Sequence, residues 1–383
     1  MKMWAILLFS LVFAGCASTP VVAPDETLFS DQLFSAPSER VSADDVFAVS
    51  PEMRHYLHTE IAPHLHREGP LQGLFDALYS KRQLKLEYDS AMTRNAAQAF
   101  AARSGNCLSL VIMTAAFANE MGLPVQFQSV LGEEAWSRSG DIYFSLAHVN
   151  IVLGKKRMDW HDGYDAQQSM TIDFLPPEEI LGQRVRAIDE KTIVAMYMNN
   201  RAAEALAAGR VDDAYWWARQ AIERDPQYLS SYNTLGVIYR RHGNLPQAEQ
   251  TLVRALEHDP RSTLVMSNLV AVLNDLGRVA DAKLLSARLE QLEPTPPFHF
   301  FNLGMTAMRA RGYAKAKILF EKEIARDPYY HEFHFWLGIA HLRLGEVAQA
   351  GAEMHLALDA STTRDDRALY AAKLDRINAY RQQ

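Results

Sequence analysis

Pro226, Pro260, Pro294 and Pro328 follow one another at intervals of 34 residues, and this spacing restricts the fold more than any other feature of the chain. Further anchors keep the same register. Tyr232, Leu235, Gly236, Tyr239, Ala248 and Ala255 precede Pro260, while Phe300, Leu303, Gly304, Ala316 and Phe320 precede Pro328. Small residues at fixed places let the two helices of a hairpin approach closely, and hairpins of equal length share a core by stacking. The first unit is degenerate, with Ala202, Ala205, Gly209, Ala214 and Ala221 before Pro226. The third is loose, with Val270 in the glycine place and Leu289 in an alanine place. The fifth keeps Leu337, Gly338, Gly345, Ala350 and Ala357 but has Thr362 where the proline belongs. Residues 195–363 thus read as about five helix pairs in a short right-handed solenoid with a concave face. Residues 364–383 place Tyr370, Leu374 and Ile377 on one stripe and read as the capping helix that such a stack needs. Each pair couples only to its neighbours, so the N-terminal part of the chain is expected to keep its own melting transition.

The pattern resembles the tetratricopeptide repeat. That resemblance implies a protein or peptide partner on the concave face. The formal charge of −7 and the lack of a basic cluster interleaved with aromatics speak against nucleic acid as the partner.

A chain of 383 residues has room for a second domain. Only two cysteines are present, so no disulfide framework exists unless they pair with each other. Met1-Lys2-Met3 followed by the apolar run Trp4 to Phe13 reads as a signal peptide, the run being too short to span a bilayer. Ala14-Gly15-Cys16 resembles a bacterial lipobox, with Phe13 where that pattern prefers Leu. The resemblance implies that residues 1–15 are removed and that Cys16 becomes an acylated N-terminus. Ala17 in place of Asp implies an outer-membrane lipoprotein facing the periplasm. Residues 16–45, rich in Ala, Ser, Pro and Asp, read as a flexible tether, with Phe29 and Leu33-Phe34 docking on the first domain.

That first domain covers residues 46–190. Met53, Tyr56, Leu57 and Ile61, then Leu71, Leu74, Phe75 and Leu78, recur at helical spacing. His55, His58, His64 and His66 cluster here. Pro63 and Gly69 interrupt the segment and no cysteine assists, so these histidines read as solvated helix ends rather than metal ligands. No cofactor motif is found. Ser104-Gly105-Asn106-Cys107 then opens Leu108 to Met121, a segment apolar on nearly every face and hence a buried central helix. Gly122 and Pro124 stop it. Cys107 falls at the helix N-terminus, where unpaired N–H groups favour a thiolate. The competing reading makes Cys107 a small buried hydrophobe. Val125 to Leu131 alternates as a strand, 132–141 is polar turn, and Tyr143 to Leu153 is a second strand. On it His148 shares a face with Phe144, Leu146 and Val152. Arg157 to Trp160 reads as a short strand, and Met170 to Phe174 as another, before Pro176-Pro177. The whole is an α+β pattern with an antiparallel sheet against the cysteine helix.

A nucleophilic cysteine needs a base within hydrogen-bond reach, and the base needs an orienting group. His148 and Asp173 supply these in order and type, with Asp159 a competing third member. The stretch from Thr93 to Cys107, together with Gly122-Leu-Pro-Val125, resembles the core of bacterial transglutaminase-like domains over roughly residues 70–180. The resemblance implies a papain-like fold and a Cys107, His148, Asp173 triad. The function it implies is a thiol peptidase or amidase working through an acyl-enzyme, or an amine-acceptor acyl transferase. Asn106 and Leu108 stand where animal transglutaminases have a Trp, which argues against protein cross-linking. The N–H of Cys107 and a second donor, Gln98 or Asn106, are expected to hold the oxyanion. The alternative is a non-catalytic scaffold in which the repeats do the binding.

Overall fold

A computed structural model describes residues 24–63, 65, 69–79, 84, 86–131, 135–139, 142–146, 148–154, 169–174 and 184–381. Cys16, Asp159, His64 and His66 lie outside the described residues, as does the short strand expected at Arg157 to Trp160. The chain is mostly helical, with a helical solenoid in its C-terminal part.

The N-terminal part starts with α1 (Pro51–Tyr56), capped by the Ser50 hydroxyl, and α2 (Pro70–Tyr79). Helix α3 (Ala96–Ala102) opens with a reciprocal cap in which Asn95 and Gln98 exchange side-chain and backbone hydrogen bonds. Between α2 and α3, β1 (Glu87–Tyr88) runs parallel to β2 (Ser104–Gly105). Helix α4 (Cys107–Glu120) buries every residue from Leu108 to Ala118, because every face of it is apolar or small. It packs against a sheet of order β7-β6-β3-β8, antiparallel throughout. The strands are β3 (Val125–Leu131), β6 (Val149–Leu153), β7 (Met170–Ile172) and β8 (Arg184–Ile188). A separate hairpin joins β4 (Ala135–Ser139) to β5 (Ile142–Leu146). The stretch read as one strand from Tyr143 to Leu153 is therefore two. Residues 135–139, read as turn, are a strand, and β8 had no clear signal in the sequence.

Five antiparallel helix pairs follow. They are α5 (Glu190–Ala207) with α6 (Val211–Arg224), α7 (Leu229–His242) with α8 (Leu245–His258), α9 (Thr263–Asp275) with α10 (Val279–Leu292), α11 (His299–Arg309) with α12 (Tyr313–Ile324), and α13 (His331–Arg343) with α14 (Val347–Asp359). Helix α15 (Arg364–Arg381) closes the stack, burying Tyr370, Leu374 and Ile377 as the stripe requires. Helix α5 touches α7 and α7 touches α9, which places the first helices of the first three pairs side by side on the inner side of the bend.

Two features depart from a simple tether, domain and solenoid in series. Phe29 and Phe34 dock on the first two helix pairs. Phe34 stacks on Tyr215 with ring centroids 3.9 Å apart, the Arg219 guanidinium lies over Phe29, and Tyr239 donates its hydroxyl hydrogen to the Leu28 carbonyl at 2.7 Å. The Asp213 carboxylate takes both the N–H and the hydroxyl of Ser38 at 2.7 Å. From residue 25 onward this segment is thus a bound ribbon, held because its aromatic and acidic side chains match α6 and α7. The apolar core also ignores the expected domain boundary. One cluster runs from Leu28 through α4 and the sheet to Ala282 in α10. A second begins at Phe298. The break coincides with Pro294-Thr295-Pro296-Pro297 and with α10, which buries Ala282 and leaves Leu284 75% exposed.

Candidate functional site

Cys107 is the first residue of α4, and the turn before it is built for close approach. Gly105 backs onto the first turn of α4, where an added Cβ would lie 2.6 Å from the Ser109 Cβ. Only glycine fits that gap. Asn106 caps the helix, its Oδ1 accepting from the Ser109 N–H at 2.9 Å and the Ser109 hydroxyl at 2.7 Å. Its Nδ2 donates to the Thr93 hydroxyl oxygen at 2.9 Å. The Asn106 side chain is therefore committed to holding the turn and is not free to serve as an oxyanion donor. Gln98 is exposed, with its Oε1 taken by the Asn95 N–H at 3.1 Å. The first turn of α4 leaves the N–H groups of Cys107 and Leu108 without helical carbonyl partners. The thiol itself is half-buried.

His148 sits immediately before β6, where its carbonyl accepts the Val130 N–H at 2.9 Å and extends the β3–β6 ladder. It lies at the entrance of a strand and not inside one. Asp173 follows the end of β7. In the antiparallel register Ile151 faces Ile172, so the next residues, Asn150 and Asp173, are opposite each other and His148 is diagonal to Asp173. The side chains meet accordingly. His148 Nε2 lies 2.6 Å from Asp173 Oδ1, and Asn150 Nδ2 donates to Asp173 Oδ2 at 3.1 Å. The His148 and Asp173 side chains are 12% and 7% exposed. With Nε2 given to Asp173, Nδ1 is the ring nitrogen left for Cys107, which lies close enough to His148 to act on its titration. Burial alone would lower the His148 pKa. The hydrogen bond to Asp173, and then the nearness of the Cys107 sulfur, outweigh it and push the value up to about 9.

The structure thus brings Cys107, His148 and Asp173 together, and adds Asn150, which the sequence reading passed over. Its one sequence signal is an amide between Val149 and Ile151 in an otherwise apolar strand. Asn150 is 5% exposed and its Oδ1 has no hydrogen-bond partner among the described residues. Such an arrangement can transfer a proton between sulfur and imidazole while the carboxylate fixes the ring. His55 and His58 are exposed on α1 and the turn after it, pointing into solvent rather than converging. No helix among the described residues is long and apolar enough to cross a membrane.

Comparison with known proteins finds matches in the C-terminal part. Family models described as tetratricopeptide repeat match residues 217–250 and 301–365. The chain is 29% identical over 121 residues to the type IV pilus assembly protein PilF of Pseudomonas aeruginosa, a match that takes in 31% of this chain and 48% of that one. The chain therefore spans about half the length of that curated relative. Among solved structures, a thermophilic TPR protein of Thermus thermophilus is 19% identical, covering 47% of this chain and 98% of its own, with a TM-score of 0.32. Pseudomonas aeruginosa pilF is 20% identical, covering 49% and 94%, with a TM-score of 0.29. Within the helical solenoid, residues 217–250 and 301–365 match tetratricopeptide repeats.

Proposed function

We propose that the chain is a protein-binding scaffold of the cell envelope, its repeat array holding a protein or peptide partner along the inner helices. The observation that carries this is the match of two separate stretches, 217–250 and 301–365, to repeats whose stacking produces an extended concave surface. Lipidation at Cys16 would hold the scaffold at the outer membrane, facing the periplasm, and intact-mass measurement of membrane-extracted protein tests it. For the scaffold itself, a photo-cross-linking amino acid at Asn302, exposed on α11, the first helix of the fourth pair, should give a discrete adduct in an envelope extract. The same group at Ile318, 55% exposed on α12, should give none. Equal adducts at both places, or none, would remove the reading.

A second reading is favoured by one specific observation, the 2.6 Å contact of His148 Nε2 with Asp173 Oδ1 on a ring whose titration Cys107 is close enough to affect. On this reading the scaffold carries a transglutaminase-like thiol site with a papain-like order of groups. The sulfur attacks an amide carbonyl, its proton having passed to His148 Nδ1. His148 returns that proton to the departing amine, and an acyl-thioester remains. Water hydrolyses the thioester in a peptidase or amidase, and a second amine takes the acyl group in a transferase. Asp173 holds the ring with Nε2 protonated throughout. The test is mass spectrometry after iodoacetamide: Cys107 should be alkylated rapidly in the wild type and slowly in His148→Ala. Indistinguishable rates would leave the scaffold alone.

A further inference from the structure

Resting on the thiol reading, we infer that the repeat array positions Cys107, with Thr93 as the joint between them. Thr93 is 1% exposed and belongs to the segment that leads into α3, yet its partners lie on both sides of the molecule. Its N–H donates to Glu204 Oε1 at 2.7 Å. Its hydroxyl oxygen accepts from Asn200 Nδ2 at 3.2 Å. Asn200 and Glu204 are both on α5, the inner helix of the first repeat. The same oxygen accepts from Asn106 Nδ2 at 2.9 Å, and Asn106 is the cap residue bonded directly to Cys107. One buried hydroxyl oxygen therefore accepts from both sides, Asn200 of the first repeat and Asn106 of the cysteine turn, and joins the two.

The far end of the array grips the same segment. Ser90 donates its N–H to the Thr362 carbonyl at 2.9 Å and its hydroxyl hydrogen to Thr362 Oγ1 at 2.7 Å. Arg364 pairs with Glu87 at 3.3 Å. Glu87 and Asp89 in turn donate their N–H groups to the carbonyls of Arg103 and Gly105 at 3.0 and 3.1 Å. Residues 87–93 are thus clasped between the first and last repeats on one side and carry the Ser104 to Asn106 turn on the other. A partner that opens or tightens the solenoid pulls on this segment, and the segment moves the cap of α4. The hydrogen bonds at Thr93 hold Asn106, and Asn106 holds the sulfur against His148. Thr93 is a positioning residue: it touches no reacting atom.

The test uses the full chain and reads alkylation of Cys107 by iodoacetamide as a pH profile, site by site, by mass spectrometry. Thr93→Val removes the hydroxyl at nearly constant volume, and Asn200→Ala cuts the repeat side of the joint while leaving Thr93 in place. Both should slow alkylation at neutral pH by about tenfold and shift the profile toward that of His148→Ala, since misplacing a reacting group by about 1 Å costs up to about 100-fold. Thr93→Ser should restore the wild-type profile. Thermal midpoints report whether each variant is folded, and Asn200→Ala, on a half-buried residue, serves should Thr93→Val fail to fold. If Asn200→Ala leaves the profile within twofold of wild type while His148→Ala flattens it, the thiol reading stands and the inference is overturned. If His148→Ala also leaves the profile unchanged, the thiol reading has failed and the inference goes with it.

Discussion

His148 gives Nε2 to Asp173 and keeps Nδ1 for the sulfur, so the proton state of one ring links stability to chemistry. Its pKa is pushed up from 6.5 to about 9, which means the folded chain binds this proton more tightly than the unfolded chain. The stabilisation is complete below pH 6.5 and disappears as pH rises through 9, amounting to about 3 kcal/mol by linkage. Urea midpoints of the wild type should therefore fall across that window more steeply than those of His148→Gln. Parallel slopes would show that the imidazolium is not held. Asp173→Asn offers Nε2 an amide N–H, which leaves the ring proton on Nδ1, facing Cys107, where it blocks proton transfer from the thiol. Labelling of Cys107 at pH 7 should slow by about 100-fold or more in that variant. The His148–Asp173 contact was legible because an imidazole and a carboxylate differ in residue type from their apolar surroundings. Asn150 and Thr93 were not, because each acts through a partner brought close only by strand register or by the first repeat.

At the scale of elements, glycine decides how near two helices come. In α11 a Cβ on Gly304 would lie 2.5 Å from Cε1 of Phe320, a ring fully buried in the second core cluster and unable to swing out. Gly304→Ala should cost about 1–3 kcal/mol by overpacking. A calorimetric scan should register it in the transition of the C-terminal repeats. The 34-residue period made these helix pairs readable from sequence, since each pair repeats the same local solution. The sheet was read less well. No glycine or proline interrupts Tyr143 to Leu153, and nothing local records that the chain leaves one sheet after β5 and enters another at His148. Pairing partners far along the chain decide such breaks.

For the whole molecule, the continuous core from Leu28 to Ala282 replaces the expectation of an independently melting N-terminal domain. The first three repeats and the α+β part should unfold together, while the repeats after Pro297 unfold separately. Gly236→Ala, whose Cβ would meet Leu252 Cγ at 2.6 Å, should lower the transition at which Cys107 becomes fully exposed to a thiol reagent. Gly304→Ala should leave that transition in place. Independent loss of Cys107 protection, ahead of the first repeats, would refute the shared core. The docking of residues 25–39 on α6 to α8 has a consequence for reach. With Cys16 as the anchored residue proposed above, only residues 17–24 separate it from the docked segment, and so many residues span at most about 30 Å. On that proposal the protein would not patrol the compartment but would be a fixture of the membrane surface, and whatever it bound would have to come within that radius.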